Sequence, residues 1–206
     1  MQAVNMLAWI MFTISPCAAG CGRPAISGSN LCYVHQVNQE QETRRIVAAI
    51  AETETTRDMV VAGMHFTGVD FSHHRYYGCN FRDACFSQCV FSGAVMRMCF
   101  FDFAEFTGCE FIRTDMQFVS FAGTRITGCR FEGSELVHVN FLGAAIAGTS
   151  FSNSNLYNSR FINAGLDKIQ FTDCNVKQTN FISAVQTDVI FKSSNTAEAV
   201  FEQEEP

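Results

Sequence analysis

Cys17, Cys21, Cys32 and His35 are the residues of this 206-residue chain whose types and spacing could do chemistry. Two close pairs, Cys17-x3-Cys21 running on into Gly-Arg-Pro and Cys32-x2-His35, stand ten residues apart. A loop of that kind can fold around one tetrahedral zinc ion through three thiolates and an imidazole. Four protein ligands close the coordination sphere and leave no position for a substrate, so the zinc expected here is structural. No phosphate loop, nucleophile elbow or paired-carboxylate motif occurs. His73, His74 and His138 have no carboxylate or nucleophile at a spacing that defines a catalytic set, and they read as solvated or packed side chains. The chain is expected not to be an enzyme.

The elements that must hold this loop follow from the rest of the sequence. Val37 to about Arg57 lacks Gly and Pro, and Ile46, Val47 and Ile50 give it one apolar stripe, which predicts a helix. From residue 59 the pattern changes. Phe recurs every ten residues from Phe71 to Phe201, fourteen times without a miss, and Val, Phe, Tyr, Met, Ile or Leu fills most of the midpoints. Helices need apolar spacing near 3.6 and strands near 2, so a sustained period of about 5 fits neither and predicts a solenoid. Each pentapeptide has a large apolar centre, such as Val61, Phe66, Phe71, Tyr76 or Phe81. Two residues before it stands a small inward residue, such as Cys79, Ala84 or Ser134, and two after it Gly or a short polar residue, such as Gly63 or Asn153. The latter types accept positive φ in tight turns.

This phasing, as in Cys-Asn-Phe81-Arg-Asp and Ser-Asn-Leu156-Tyr-Asn, resembles the pentapeptide-repeat family over residues 59 to 201. The resemblance implies an all-β solenoid, a right-handed four-sided β-helix with one pentapeptide per side. About seven coils at the strand spacing of roughly 4.8 Å would make a rod of roughly 34 Å. Phe81 to Phe181 and Phe71 to Phe171 then form ladders on opposite sides, and the last coil weakens at Gln186 and Thr196. The helix is expected to cap the first coil at Met59 and Val61, since a solenoid must stop exposing its core. Cys-Gly-Arg-Pro-Ala followed by Leu-Cys-Tyr-Val-His resembles short zinc-knuckle and ribbon-like modules. The expected organisation is a metal-binding module at 1–36, a helix and cap linker at 37–58, the repeat at 59–201 and an acidic tail at 202–206.

Six of the seven repeat cysteines occupy the small inward site, where stacked Cβ vectors run parallel and do not converge, so buried free thiols are expected. That favours a reducing compartment and a cytoplasmic location. The alternative is export, with Met6 to Ile14 as a signal run and Cys17-Ala18-Ala19 as its cleavage site, although no Lys or Arg precedes the run.

A formal charge of −6 without a basic patch argues against direct nucleic-acid binding, and no apolar run approaches the ~18 residues of a membrane span. Outward positions that break the polar expectation are then informative. Leu142, Ile162 and Ile182 lie twenty apart and predict an apolar stripe, suited to a protein partner or to a homodimer through the C-terminal coils. Met98 and Phe118, with Phe100 and Phe103, form a second such group. The reading is a protein-interaction scaffold. The family resemblance implies an alternative, since some pentapeptide-repeat proteins mimic duplex DNA, bind type II topoisomerases such as DNA gyrase and confer quinolone resistance. Asp102, Glu105, Glu110, Asp115, Glu132 and Glu135 would supply the charge, but Arg113, Arg125 and Arg130 interrupt them. An exported effector engaging host proteins is the third possibility.

Overall fold

The structure is a computed structural model and describes residues 14–202. Most of the candidate signal run and of the acidic tail lies outside the described residues. Among the described residues, twelve three-residue strands form two parallel sheets. One contains β1 (Thr55–Arg57), β3 (Arg75–Tyr77), β5 (Val95–Arg97), β7 (Asp115–Gln117) and β9 (Glu135–Val137). The other contains β2 (His65–Thr67), β4 (Cys85–Ser87), β6 (Glu105–Thr107), β8 (Arg125–Thr127), β10 (Ala145–Ala147), β11 (Gly165–Asp167) and β12 (Val185–Thr187). Partners stand twenty residues apart, Thr56 opposite Tyr76 and Ile146 opposite Leu166. Two further sides consist of single bridges, one running Asn80–Phe100–Ser120–Asn140–Arg160–Asn180 and the other Asp70–Val90–Glu110–Arg130–Ser150–Gln170. The result is a four-sided β-solenoid of about seven coils.

Each strand is short because the chain must turn a corner every five residues. Within it the period of two sends the centre inward and both neighbours outward, as in β6, where Phe106 is buried between exposed Glu105 and Thr107. The centres fill the rod as ladders. Phe81 lies on Phe101 at 4.6 Å and 7°, and Phe111 on Phe131 at 4.5 Å and 3°. Between ladders the rings meet edge to face, Phe111 against Phe121 at 6.1 Å and 89°. Both geometries suit the ring quadrupole and add about 0.5–1.5 kcal/mol per pair beyond area burial.

The small inward site does more than make room. Ser134, Ser154, Ser159 and Thr179 donate to the carbonyls of Phe111, Phe131, Leu136 and Leu156, each twenty-three residues earlier. Cys89, Cys99, Cys109 and Cys174 direct their thiols to the same kind of carbonyl. None of the ten cysteines is disulfide-bonded.

Helix α1 (Gln39–Ala51) is shorter than the stretch from Val37 to about Arg57. Asn38 caps it by accepting the Gln41 N–H at 2.9 Å, and it stops before the β-branched Thr53, Thr55 and Thr56, where Thr55–Arg57 already forms β1. Ile46 and Ile50 join Val61 in the buried core, and Val47 and Met59 pack against that core. At the other end Gln186 is exposed, Phe191 and Phe201 are half-buried, and a 3-10 turn at Thr196–Glu198 replaces the final strand.

Candidate metal centre and outward apolar side

The loop before α1 is built from turns. Gly20, Gly22 and Gly28 hold φ of 72°, 77° and 78°, a region cheap only for glycine. Pro16 and Pro24 bridge antiparallel, and the Cys17 N–H donates to the Arg23 carbonyl, which folds the first Cys pair back on itself. The 3-10 turn Tyr33–His35 returns the second pair. Cys17 Sγ lies 3.4 Å from His35 Nδ1, Cys32 Sγ 3.4 Å from the same nitrogen, and Cys21 Sγ 3.6 Å from Cys32 Sγ. All four ligand atoms fall within 4.8 Å of one another. Zinc bonds of about 2.3 Å to sulfur and 2.0–2.1 Å to nitrogen at tetrahedral angles place ligand atoms roughly 3.5–3.8 Å apart. The three spacings of 3.4–3.6 Å are near those of that polyhedron, and the remaining pairs lie within 4.8 Å.

Backbone N–H groups tune the same thiols. Those of Cys32 and Arg23 hold Cys17 and Cys21 below the ordinary thiol value, which favours the thiolate that a metal needs. Burial pushes Cys32 up. A bound metal would supply charge neutralisation and a cross-link there, and the residues themselves set its position at the end of the rod.

That position has a consequence for capping. Ser27 donates its N–H to the Val60 carbonyl and accepts the Val60 N–H on its Oγ, both at 2.8 Å. In later coils these two groups pair with neighbouring coils, as when Asn80 N–H donates to the Met59 carbonyl and the Asn80 carbonyl accepts from Val61. Ser27 therefore stands in for a coil that does not exist. Ile26 buries into the core beside it, Tyr33 meets the His65 ring at 5.5 Å, and Arg45 reaches from α1 to the Ser27 carbonyl.

Both groups of outward apolar residues fall on one side of the rod, the side bridged through Phe100. Met98 and Phe118 occupy successive coils at the corner before it, and the Phe118 ring stacks on His138 at 5.0 Å and 3°. Tyr157 meets His138 edge-on at 6.0 Å. Phe103 occupies the following corner, as do Leu142, Ile162 and Ile182 in later coils, linked by the Gly143 N–H to the Ile162 carbonyl and the Asn163 N–H to the Ile182 carbonyl. Phe103, Phe118, Leu142 and Met98 are 66, 59, 43 and 41% exposed, while Ile162 and Ile182 are half-buried. The stripe is thus shallower at its C-terminal end than its spacing suggests, because turn residues fold over the corner. Val185, Ile190 and Val200 are exposed near the open end.

Met98, Phe103 and Phe118 also hold φ of 52°, 61° and 55°. Left-handed backbone costs a side chain with a Cβ about 1–2 kcal/mol, and Gly63, Gly78, Gly123, Gly143, Asn158 and Asn163 fill the same two corners in other coils. A Cβ on Gly123 would stand 2.6 Å from the Phe103 ring, so that ring lies across the next coil and needs glycine there. His73 over Gly93 repeats the arrangement, so a bulky corner residue followed twenty later by Gly is its sequence signal.

The acids offered as a DNA-like surface are each matched. Asp102 pairs with Arg82, Asp115 with Arg97, Glu105 with Arg125, and Glu110 and Glu132 with Arg130. Glu135 accepts from Asn155.

The model of the pentapeptide repeat region matches residues 62–141 and 124–201. The chain belongs to the pentapeptide-repeat family. Solved pentapeptide-repeat structures include similar ones. A trypsin-treated form of QnrB1, a plasmid-mediated fluoroquinolone resistance protein, is 20% identical with a TM-score of 0.43 and matches 68% of this chain and 81% of its own. HetL, a pentapeptide-repeat protein involved in heterocyst differentiation regulation from a Nostoc cyanobacterium, is 14% identical with a TM-score of 0.25 and matches 78% and 96%. No match is found among curated proteins.

Proposed function

We propose that this pentapeptide-repeat protein is a non-enzymatic interaction scaffold, cytoplasmic, with a structural zinc ion fastening its N-terminal module to the first coil. The observation that carries the reading is the one-sided clustering of Met98, Phe103, Phe118 and Leu142, exposed on a rod whose other outward positions are mostly short and polar. Contiguous exposed apolar surface marks a protein contact more often than a solvated face. The C-terminal part of that side, with Ile162, Ile182 and Val200, fits a second copy related by a two-fold axis. Sedimentation velocity over a range of concentrations tests this use. An Ile162→Asp, Ile182→Asp double variant that keeps its circular dichroism should sediment as a monomer where the parent forms a dimer, and a variant that still pairs removes the stripe from the reading.

Gyrase binding is the competing use. Duplex DNA presents one uncompensated charge per roughly 1.7 Å of axis, whereas the acids between Asp102 and Glu132 here stand against arginines. That favours the scaffold. Titrating the protein into a gyrase supercoiling assay, with and without a quinolone, separates the two: inhibition or drug protection at micromolar protein would put gyrase in the partner's place.

A further inference from the structure

We infer that Cys21 and Cys32 form an oxidation site for hydrogen peroxide, at which a reversible disulfide takes over from zinc as the closure of the N-terminal loop. Release of the metal rests on the structural zinc proposed above; formation of the disulfide does not. Three observations lead there. Of the ten cysteines only Cys21 is exposed, while Cys17 and Cys32 are buried, so a small dissolved oxidant meets the Cys21 sulfur first. Cys21 stands between Gly20 and Gly22, where an added Cβ would meet nothing within 4 Å, so no neighbour crowds the backbone on either side. Its Sγ lies 3.6 Å from that of Cys32, and a closure of about 1.6 Å brings the pair to a disulfide bond of about 2.04 Å. Cys17 lies instead against the His35 ring, its Sγ 3.4 Å from Nδ1.

The chemistry balances in two steps. The Cys21 thiolate attacks one peroxide oxygen; an S–O bond forms, the O–O bond breaks, and the departing hydroxide takes a proton and leaves as water. Sulfur is oxidised to the sulfenic acid and the peroxide is reduced. The Cys32 thiolate then attacks that sulfur, so the S–S bond forms as the S–O bond breaks, and a second proton carries the hydroxide away as water. Two thiolates, one hydrogen peroxide and two protons give one disulfide and two waters. Only Cys17 and His35 then remain for zinc, too few for a closed site, and it leaves as the divalent ion. The disulfide keeps what the cap needs, because the contacts with the first coil come from inside the loop it closes. Ser27 holds Val60 through its N–H and its hydroxyl, Ile26 buries into the core, and Arg45 donates to the Ser27 carbonyl. The Ile26 N–H donates to the Leu31 carbonyl across the same loop. Oxidation therefore empties the metal site and leaves the rod capped, and thiol exchange reverses it. Transient disulfides of this kind suit a reducing compartment.

The test titrates reduced full-length protein with hydrogen peroxide, follows zinc with 4-(2-pyridylazo)resorcinol and assigns each thiol by differential alkylation and tandem mass spectrometry. About one equivalent of peroxide should link Cys21 to Cys32 and release the bound zinc, with Cys17 and the repeat cysteines still reduced. Dithiothreitol should restore zinc binding, and amide protection at Val60 should persist in the oxidised protein. Cys17→Ser should still form the disulfide. Cys21→Ser should slow peroxide-dependent thiol loss at Cys32 by roughly tenfold or more, with circular dichroism showing the rod intact. Reduced protein that carries no zinc removes the metal reading alone, and the alkylation pattern then decides the oxidation site by itself. Peroxide that leaves both thiols free, a disulfide that forms first through Cys17 or a repeat cysteine, or protection at Val60 lost on oxidation overturns the proposal.

Discussion

Cys32 is the candidate ligand with most at stake, because it is buried while Cys21 is exposed, and its sulfur contacts both Cys21 and His35. Purified, reduced protein should contain about one equivalent of zinc by plasma emission analysis. Cys32→Ala should fall below half an equivalent and lower the midpoint of thermal unfolding, since metal binding free energy is folding free energy in sites of this kind. Parent protein with reduced ligands and no zinc would remove the metal from the account. These four residues were legible in the sequence because ligand spacing is local. The role of Ser27 was not: its two bonds to Val60 join segments with no shared period, and only closure of the first coil brings them together. The donors at the small inward site escaped notice for a related reason. Their spacing of twenty-three combines one full coil with a three-residue offset, which a pentapeptide count conceals.

The first coil differs from its neighbours in what it buries. His74 takes a small inward position, its Nε2 within 2.8 Å of Thr56 Oγ1 and its ring 4.6 Å from Tyr76. Burial holds its pKa below the ordinary histidine value, so the folded coil favours the neutral ring. The associated stability is fully present above the unfolded value of about 6.5 and is lost as pH falls from there toward the lower folded value. Amide protection factors at Thr56 and Tyr76, with the intrinsic pH dependence of exchange removed, should therefore fall below about pH 6.5 before those in central coils do, and His74→Ala should flatten that dependence. An equal loss of protection in every coil would argue that the histidine is not responsible. The Phe positions made the solenoid readable, since a five-residue period has few other solutions. The end of α1 was less readable: Thr53 to Arg57 contains neither Gly nor Pro, and only pairing with β3 shows that it has become strand. That both apolar groups share a side could have been counted from their positions within the twenty-residue coil, because Met98 and Leu142 flank the same row of centres.

Across the whole molecule, each coil touches only the coils above and below, so stability is close to a sum of coil terms and neighbour terms. Phe121 stacks on Phe101 and Phe141 and is fully buried, whereas Phe201 stacks on Phe181 and is half-buried. Phe121→Ala should cost about 3–5 kcal/mol in chemical denaturation, and Phe201→Ala clearly less. Equal losses would contradict a nearest-neighbour rod. The two ends are unlike in a further respect. At one, Ser27 and α1 satisfy the groups that a preceding coil would have met; at the other, β12 is a sheet edge with a weakened centre at Gln186. Rods that meet by their ends can therefore join only open end to open end. Such a join uses up both edges at once, so it closes at two members, and among the described residues the capped end offers no edge for head-to-tail growth.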